Sequence, residues 1–139
     1  MNIFVDTGAF YALADEDDEY HTPARAYYAS NFKPGLFVTS EYVFVESWLL
    51  IHHRLGQAAA RKFWDGVRSK VIRLRQVSAQ NLERAWEILN EYQDQDFSLV
   101  DCTSFAIMED LKITAAFAFD HHFYVFRSRW VGPFQCYPS

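Results

Sequence analysis

Two short apolar runs near opposite ends of a 139-residue chain, Ile3-Phe4-Val5 and Ala115 to Phe119, each stop at an aspartate, Asp6 and Asp120. Runs this short, and apolar throughout rather than alternating, suit strands buried on both faces of a parallel sheet. The segments between them supply helices. Asn2 to Asp6 reads as a strand, then a helix pair runs to Ser30, a strand spans Leu36 to Thr39, and a helix runs from Ser40 to about Arg54. Thr39-Ser40 before Glu41 offers a cap to that helix. Gly56 breaks the pattern, and a helix over Gln57 to Arg68 follows. Val71-Ile72-Arg73-Leu74-Arg75 alternates as a half-exposed strand with its arginines toward solvent, and Ser78 caps a helix whose Leu82, Ala85, Trp86 and Leu89 form a stripe expected to face the core. Leu99 to Leu111 is apolar almost all round and should be well buried, and the tail after Gly132 holds at most one short strand. Such alternation implies an α/β fold with a central, mainly parallel sheet and helices on both faces.

In open α/β sheets ligands bind outside the carboxyl ends of the strands, which is where Asp6 and Asp120 fall. Two further acids stand out, Glu46 within Tyr42 to Ile51 and Asp101 opening Cys102 to Leu111. Singly, each has an ordinary explanation: Asp6 and Asp120 as helix caps, Asp101 as a favourable charge at a helix N-terminus, Glu46 as a solvent-facing residue. Together they point elsewhere, because carboxylates among Val43, Val45, Leu49 and Leu50, or Leu99, Phe105 and Ile107, are seldom buried unless paired or bound to a cation. Four converging carboxylates repel one another and need positive charge. All-oxygen ligation suits one or two Mg²⁺ or Mn²⁺ ions rather than zinc, and such ions activate water for in-line attack on a phosphodiester. Thr7, Ser98 and Ser104 are placed to orient ligands or bound water. Asp96 reads as a turn residue.

Composition narrows the field. At 16.3 kDa and 50% hydrophobic the chain is expected to form a single domain, residues 1–139, without staples. Cys102 and Cys136 form no CxxC pair, no apolar run reaches a membrane span, and the first residues enter a strand directly, so the expected setting is cytoplasmic with no membrane partner. The net charge of -5 hides an uneven distribution. Arg61, Lys62, Arg68, Lys70, Arg73 and Arg75 cluster with only Asp65 among them, and with Arg25 and Arg54 could guide a phosphate backbone. The acids collect in Asp15 to Glu19 and Glu83 to Asp101. A solvated surface is the ordinary reading of either cluster.

Val5-Asp6-Thr7, Thr39-Ser40-Glu41-Tyr42-Val43 running to Glu46, Phe97-Ser98-Leu99-Val100-Asp101 with Ser104, and Ala116-Phe117-Ala118-Phe119-Asp120 with His121 and Phe123 resemble, in order and spacing, the PIN domain and its VapC-like toxin ribonucleases. The resemblance covers nearly the whole chain. It implies a three-layer α/β/α fold, a Mg²⁺- or Mn²⁺-dependent endoribonuclease, a metal-binding quartet on Asp6, Glu46, Asp101 and Asp120, a homodimer, and inhibition by a cognate antitoxin protein. Gly8 stands where many relatives carry serine or asparagine, and Glu41 where aspartate is common; Glu41 reads as a cap. Neither departure touches the quartet.

The expected reaction is cleavage of single-stranded or looped RNA by metal-activated water, leaving a 5′ phosphate and a 3′ hydroxyl. His52-His53 and His121-His122 do not form a zinc site, since adjacent residues do not share a helix face. His121 beside Asp120 is a candidate contact to phosphate or bound water, whereas His122 reads as a packing or surface residue. Tyr11, Tyr20, Tyr27, Tyr28, Trp48 and Trp64 offer rings for base stacking, although at 18% aromatic most such residues belong to the core or a subunit interface. Two rivals remain: a phosphoaspartate protein, disfavoured because no second aspartate follows at position 8, and a catalytically silent PIN scaffold that binds RNA or a protein.

Overall fold

In the computed structural model, which describes residues 1–69 and 71–139, the chain orders as β1 (Ile3–Val5), α1 (Thr7–Ala14), α2 (His21–Asn31), β2 (Phe37–Ser40), α3 (Glu41–Leu55), α4 (Gln57–Arg68) and β3 (Arg73–Arg75). It continues through α5 (Ala79–Glu91), α6 (Leu99–Leu111), β4 (Ala115–Phe117), α7 (His122–Val125), β5 (Arg127–Ser128), β6 (Gly132–Pro133) and β7 (Gln135–Tyr137). Lys70, one member of the basic cluster, lies outside the described residues.

Five strands form one sheet in the order β3-β2-β1-β4-β7, with every neighbouring pair parallel. The chain leaves β1 toward β2 on one side and reaches β4 on the other, so the strand order reverses between β1 and β4. That reversal opens a crevice at the carboxyl edge. Ile3, Phe4 and Val5 pair with Ala115, Ala116 and Phe117, which brings the ends of these two strands level. Thr39 Oγ1 donates to the Val5 carbonyl at 2.8 Å and ties β2 to the same edge.

Helices flank the sheet as the alternation requires: α1 packs on α2 and α3, α3 on α4, and α5 on α6. Phe4, Phe37, Phe105, Phe117, Phe123 and Phe126 are wholly buried between the layers. Each such side chain contributes roughly 1.5–3 kcal/mol of transfer free energy. Residues 101–108 of α6 are buried without interruption, so the all-round apolar reading of that helix holds. Ser40 caps α3 through the Val43 amide at 3.0 Å, and Ser78 caps α5 in a reciprocal capping box with Asn81.

Several expectations need correction. The α5 stripe is shifted: Ala85 faces inward as expected, but with Asn81 and Ile88, while Leu82 and Leu89 are partly exposed and Trp86 is 60% exposed. Helical spacing identifies a stripe but not what covers it. β3 is one of the sheet's two edge strands, and Leu74 is exposed along with Arg73. β4 stops at Phe117, three residues before Asp120. The tail adds a small antiparallel hairpin, β5 with β6, before its final strand β7. Glu41 does not cap α3; its Oε1 accepts the Val77 amide at 2.8 Å and anchors the connection into α5. The acidic run after α1 is a turn in which Asp15 accepts the Asp17 amide and Asp18 the Tyr20 amide.

Candidate active site

β1 delivers Asp6 to the carboxyl edge, where its amide donates to the Phe117 carbonyl of β4 at 3.0 Å. Asp6 is 5% exposed, and its side chain caps nothing in α1. Burial above all, with the charges of Asp101, Asp120 and Glu46 and against the opposing Thr7 amide, pushes its carboxyl up to about 7. The fold therefore places the other three acids within the field of Asp6. Asp101 is also buried, whereas Glu46 and Asp120 are less buried, at the rim. The surroundings of Glu46 depart from the expected apolar ones, because Val45 and Leu49 beside it are exposed rather than packed.

Asp101 enters from the first turn of α6. Ser98 Oγ accepts the Asp101 amide at 3.0 Å, and Asp101 Oδ2 accepts the Ser98 amide at 3.1 Å. This capping box fixes both the start of the helix and the carboxylate's orientation. Asp120 accepts the His122 amide on Oδ1 at 2.9 Å, an Asx-type turn that opens α7. His121 is largely exposed, with Nδ1 3.6 Å from Asp120 Oδ1. His122 is the residue that sequence reasoning sets aside: its Nδ1 lies 2.8 Å from Asp101 Oδ2 and 3.4 Å from Asp120 Oδ1. The available signal is its position two residues after an aspartate that ends a buried run.

Among the described residues, no lysine or arginine pairs with any of the four acids. Thr7 Oγ1 and Ser104 Oγ are buried with no hydrogen-bond partner. Thr7 adjoins Asp6 in sequence, and Ser104 lies one turn from Asp101 on the same side of α6. Uncompensated carboxylates, an acid whose proton affinity is raised by burial and its neighbours, and unsatisfied hydroxyls are a donor set suited to a hard divalent cation with water in its coordination sphere. Asp120, His121 and His122 also offer ligand atoms within 4.8 Å of one another, but His122 Nδ1 is already engaged by Asp101.

The candidate RNA contacts lie on neighbouring surfaces rather than in the acidic crevice. Arg61, Lys62 and Arg68 line a cleft of about 560 Å³ with Trp48 and Trp64. Arg25 shares a second cleft, of about 550 Å³, with Lys62, Phe10 and Phe63. Arg54 lies 5.2 Å from the centre of the Tyr11 ring. Tyr27 and Tyr28 pack on Phe37 and are partly buried against the core, and Tyr20 stacks on Phe119 beside Asp120.

The PIN domain family model matches residues 3–128. The chain is 40% identical over 121 residues to the 23S rRNA-specific endonuclease VapC20 of Mycobacterium tuberculosis, covering 87% of this chain and 91% of that protein. The crystal structure of M. tuberculosis VapC20, described as a Sarcin-Ricin loop cleaving toxin, superposes with a TM-score of 0.81 at 38% identity, over 86% of this chain and 91% of that one. A chain of a toxin-antitoxin complex from Klebsiella pneumoniae shares the fold, with a TM-score of 0.64 at 13% identity over 86% of this chain and 88% of that one. The acidic crevice thus sits in a fold whose sequence and architecture both match, and the chain belongs to the PIN domain family, among its VapC-type toxin endoribonucleases.

Proposed function

We propose that this endoribonuclease cuts a structured ribosomal RNA loop, holding Mg²⁺ or Mn²⁺ with Asp6, Glu46, Asp101 and Asp120 in a single PIN-like domain over residues 1–139. The observation that carries this reading is Asp6, buried at the end of the central strand and held at a pKa of about 7 by burial and by the other three acids. A carboxyl in that state is costly to ionise unless a cation compensates it. When bound, the ion supplies Lewis acidity toward a water and a phosphodiester oxygen. The protein's part is to fix the acids: Ser98 orients Asp101, the turn into α7 orients Asp120, and the Thr7 and Ser104 hydroxyls are free to hold water. Arg61, Lys62 and Arg68 offer charge to the backbone and Trp64 a ring for an unpaired base. The choice of substrate rests on the likeness to VapC20, which is named for 23S rRNA and the sarcin-ricin loop.

As the toxin of a pair, the chain takes a cognate antitoxin as partner and works in the cytoplasm. No helix among the described residues is long and apolar enough to cross a membrane. Exposed Val45, Leu49, Leu82, Trp86 and Leu89 support a homodimer.

The test uses protein freed of any co-purified partner, with labelled ribosomal-loop, tRNA and unstructured RNAs, in Mn²⁺, Mg²⁺ or EDTA, beside Asp101→Asn. Metal-dependent cutting of the ribosomal loop by the wild type, giving 5′-phosphate ends and lost in the variant, is expected. Cutting by Asp101→Asn at the wild-type rate contradicts the assignment of Asp101. Metal binding with no cutting of any RNA favours the scaffold reading.

A further inference from the structure

We propose that His122 is a positioning residue that clamps two of the acids at once and thereby selects which oxygen of each is left to face a cation. The proposal rests on the reading above that these acids hold a divalent ion. His122 reaches Asp101 with its ring and Asp120 with its backbone. Nδ1 lies 2.8 Å from Asp101 Oδ2, and the same oxygen accepts the Ser98 amide at 3.1 Å. An ionised carboxylate oxygen offers about two lone-pair directions, so Oδ2 is filled by protein donors and Oδ1 is left. On Asp120, Oδ1 accepts the His122 amide at 2.9 Å and has Nδ1 at 3.4 Å, which leaves Oδ2. Both ring neighbours are carboxylate oxygens, which only accept, so the ring donates from Nδ1.

The clamp is built rather than incidental. Asp101 and His122 are 21 residues apart, so their contact fastens the start of α6 to the turn after β4. The His122 side chain is 15% exposed, and its ring meets buried Phe97 edge-on at 5.0 Å. Shielding from water strengthens the bond and limits the ring's alternatives. Groups that orient metal-ligating side chains in this way typically govern affinity by about 10–100-fold.

The test titrates MnCl₂ by calorimetry into metal-stripped wild type, His122→Ala, His122→Asn and His122→Gln, with circular dichroism to confirm folding. Asparagine places an N–H donor where Nδ1 stands and has nothing at Nε2; glutamine does the reverse. His122→Gln and His122→Ala are expected to lose about 10–100-fold in Mn²⁺ affinity and His122→Asn to stay within about threefold of wild type. The asparagine–glutamine pair decides the question if the alanine variant does not fold. Equal affinity in all variants overturns the proposal. Wild-type affinity in His122→Gln with loss in His122→Asn also overturns it, since His122 would then act through Nε2 as a ligand. No Mn²⁺ binding by the wild type overturns the functional reading and this proposal with it.

Discussion

Replacing Asp6 with asparagine should stabilise the metal-free protein while removing its affinity for metal. The folded chain holds the Asp6 proton up to about pH 7, against 3.8 for an aspartate in water. Between those values the folded state binds more protons than the unfolded one, so the stability linked to this group is full below pH 3.8 and is lost as pH rises through 7. At 1.36 kcal/mol per decade the loss reaches about 4 kcal/mol at pH 8 and about 2 kcal/mol at pH 5. That is a large part of the roughly 5–15 kcal/mol that holds a domain together. An asparagine side chain at this position approximates the protonated acid in shape and hydrogen bonding, so the variant escapes most of the loss. Urea unfolding in EDTA at pH 8 should therefore show Asp6→Asn more stable than wild type by a few kcal/mol, with the gap roughly halved at pH 5. Saturating Mn²⁺ at pH 8 should raise the wild-type midpoint and leave the variant's unchanged. A variant less stable than wild type at pH 8, or a gap that does not shrink at pH 5, refutes the account of Asp6.

Three further outcomes follow from other parts of the molecule. Ser104→Ala removes a buried hydroxyl with no protein partner, so the metal-free stability should hold or rise by up to about 1 kcal/mol while Mn²⁺ affinity falls; marked destabilisation would show that the hydroxyl is already bonded. Glu109→Gln weakens the buried pair with Arg84, at 2.8 Å, that joins α5 to α6, and the bond from Ser128, at 2.6 Å, that fastens the β5–β6 hairpin; urea unfolding should show a loss of about 2 kcal/mol with cleavage of RNA retained. Arg61→Ser with Arg68→Ser should weaken RNA binding across sequences and reduce the slope of log K against log salt by about 1.4, and an unchanged slope would remove the α4 cleft from the RNA path.

The parts of the fold legible in the sequence are those that one segment decides. Ile3-Phe4-Val5 and Ala115 to Phe117 could only be buried strands, and Ser40 and Ser78 mark helix starts because a cap acts within four residues. The arrival of Asp6 at the carboxyl edge is legible too, since strand ends in a parallel sheet share one edge, whereas Asp120 lies three residues past the end of β4 and reaches that edge through the turn into α7. What stays hidden depends on tertiary cover. Nothing local distinguishes Leu82-Trp86-Leu89 facing solvent from the same stripe facing a core, and Asn81 takes an inward place because its side chain is needed to cap α5. His122 escapes notice for a similar reason: its partner Asp101 lies 21 residues away, on an element whose approach no periodicity reveals.

The most direct measurement is a crystal soaked in Mn²⁺ with data collected at the manganese absorption edge. The account predicts an anomalous peak about 2.0–2.2 Å from carboxylate oxygens of the quartet Asp6, Glu46, Asp101 and Asp120, with His122 Nδ1 still on Asp101. A peak coordinated instead by the rings of His121 and His122, or none near the acids at saturating Mn²⁺, would contradict it.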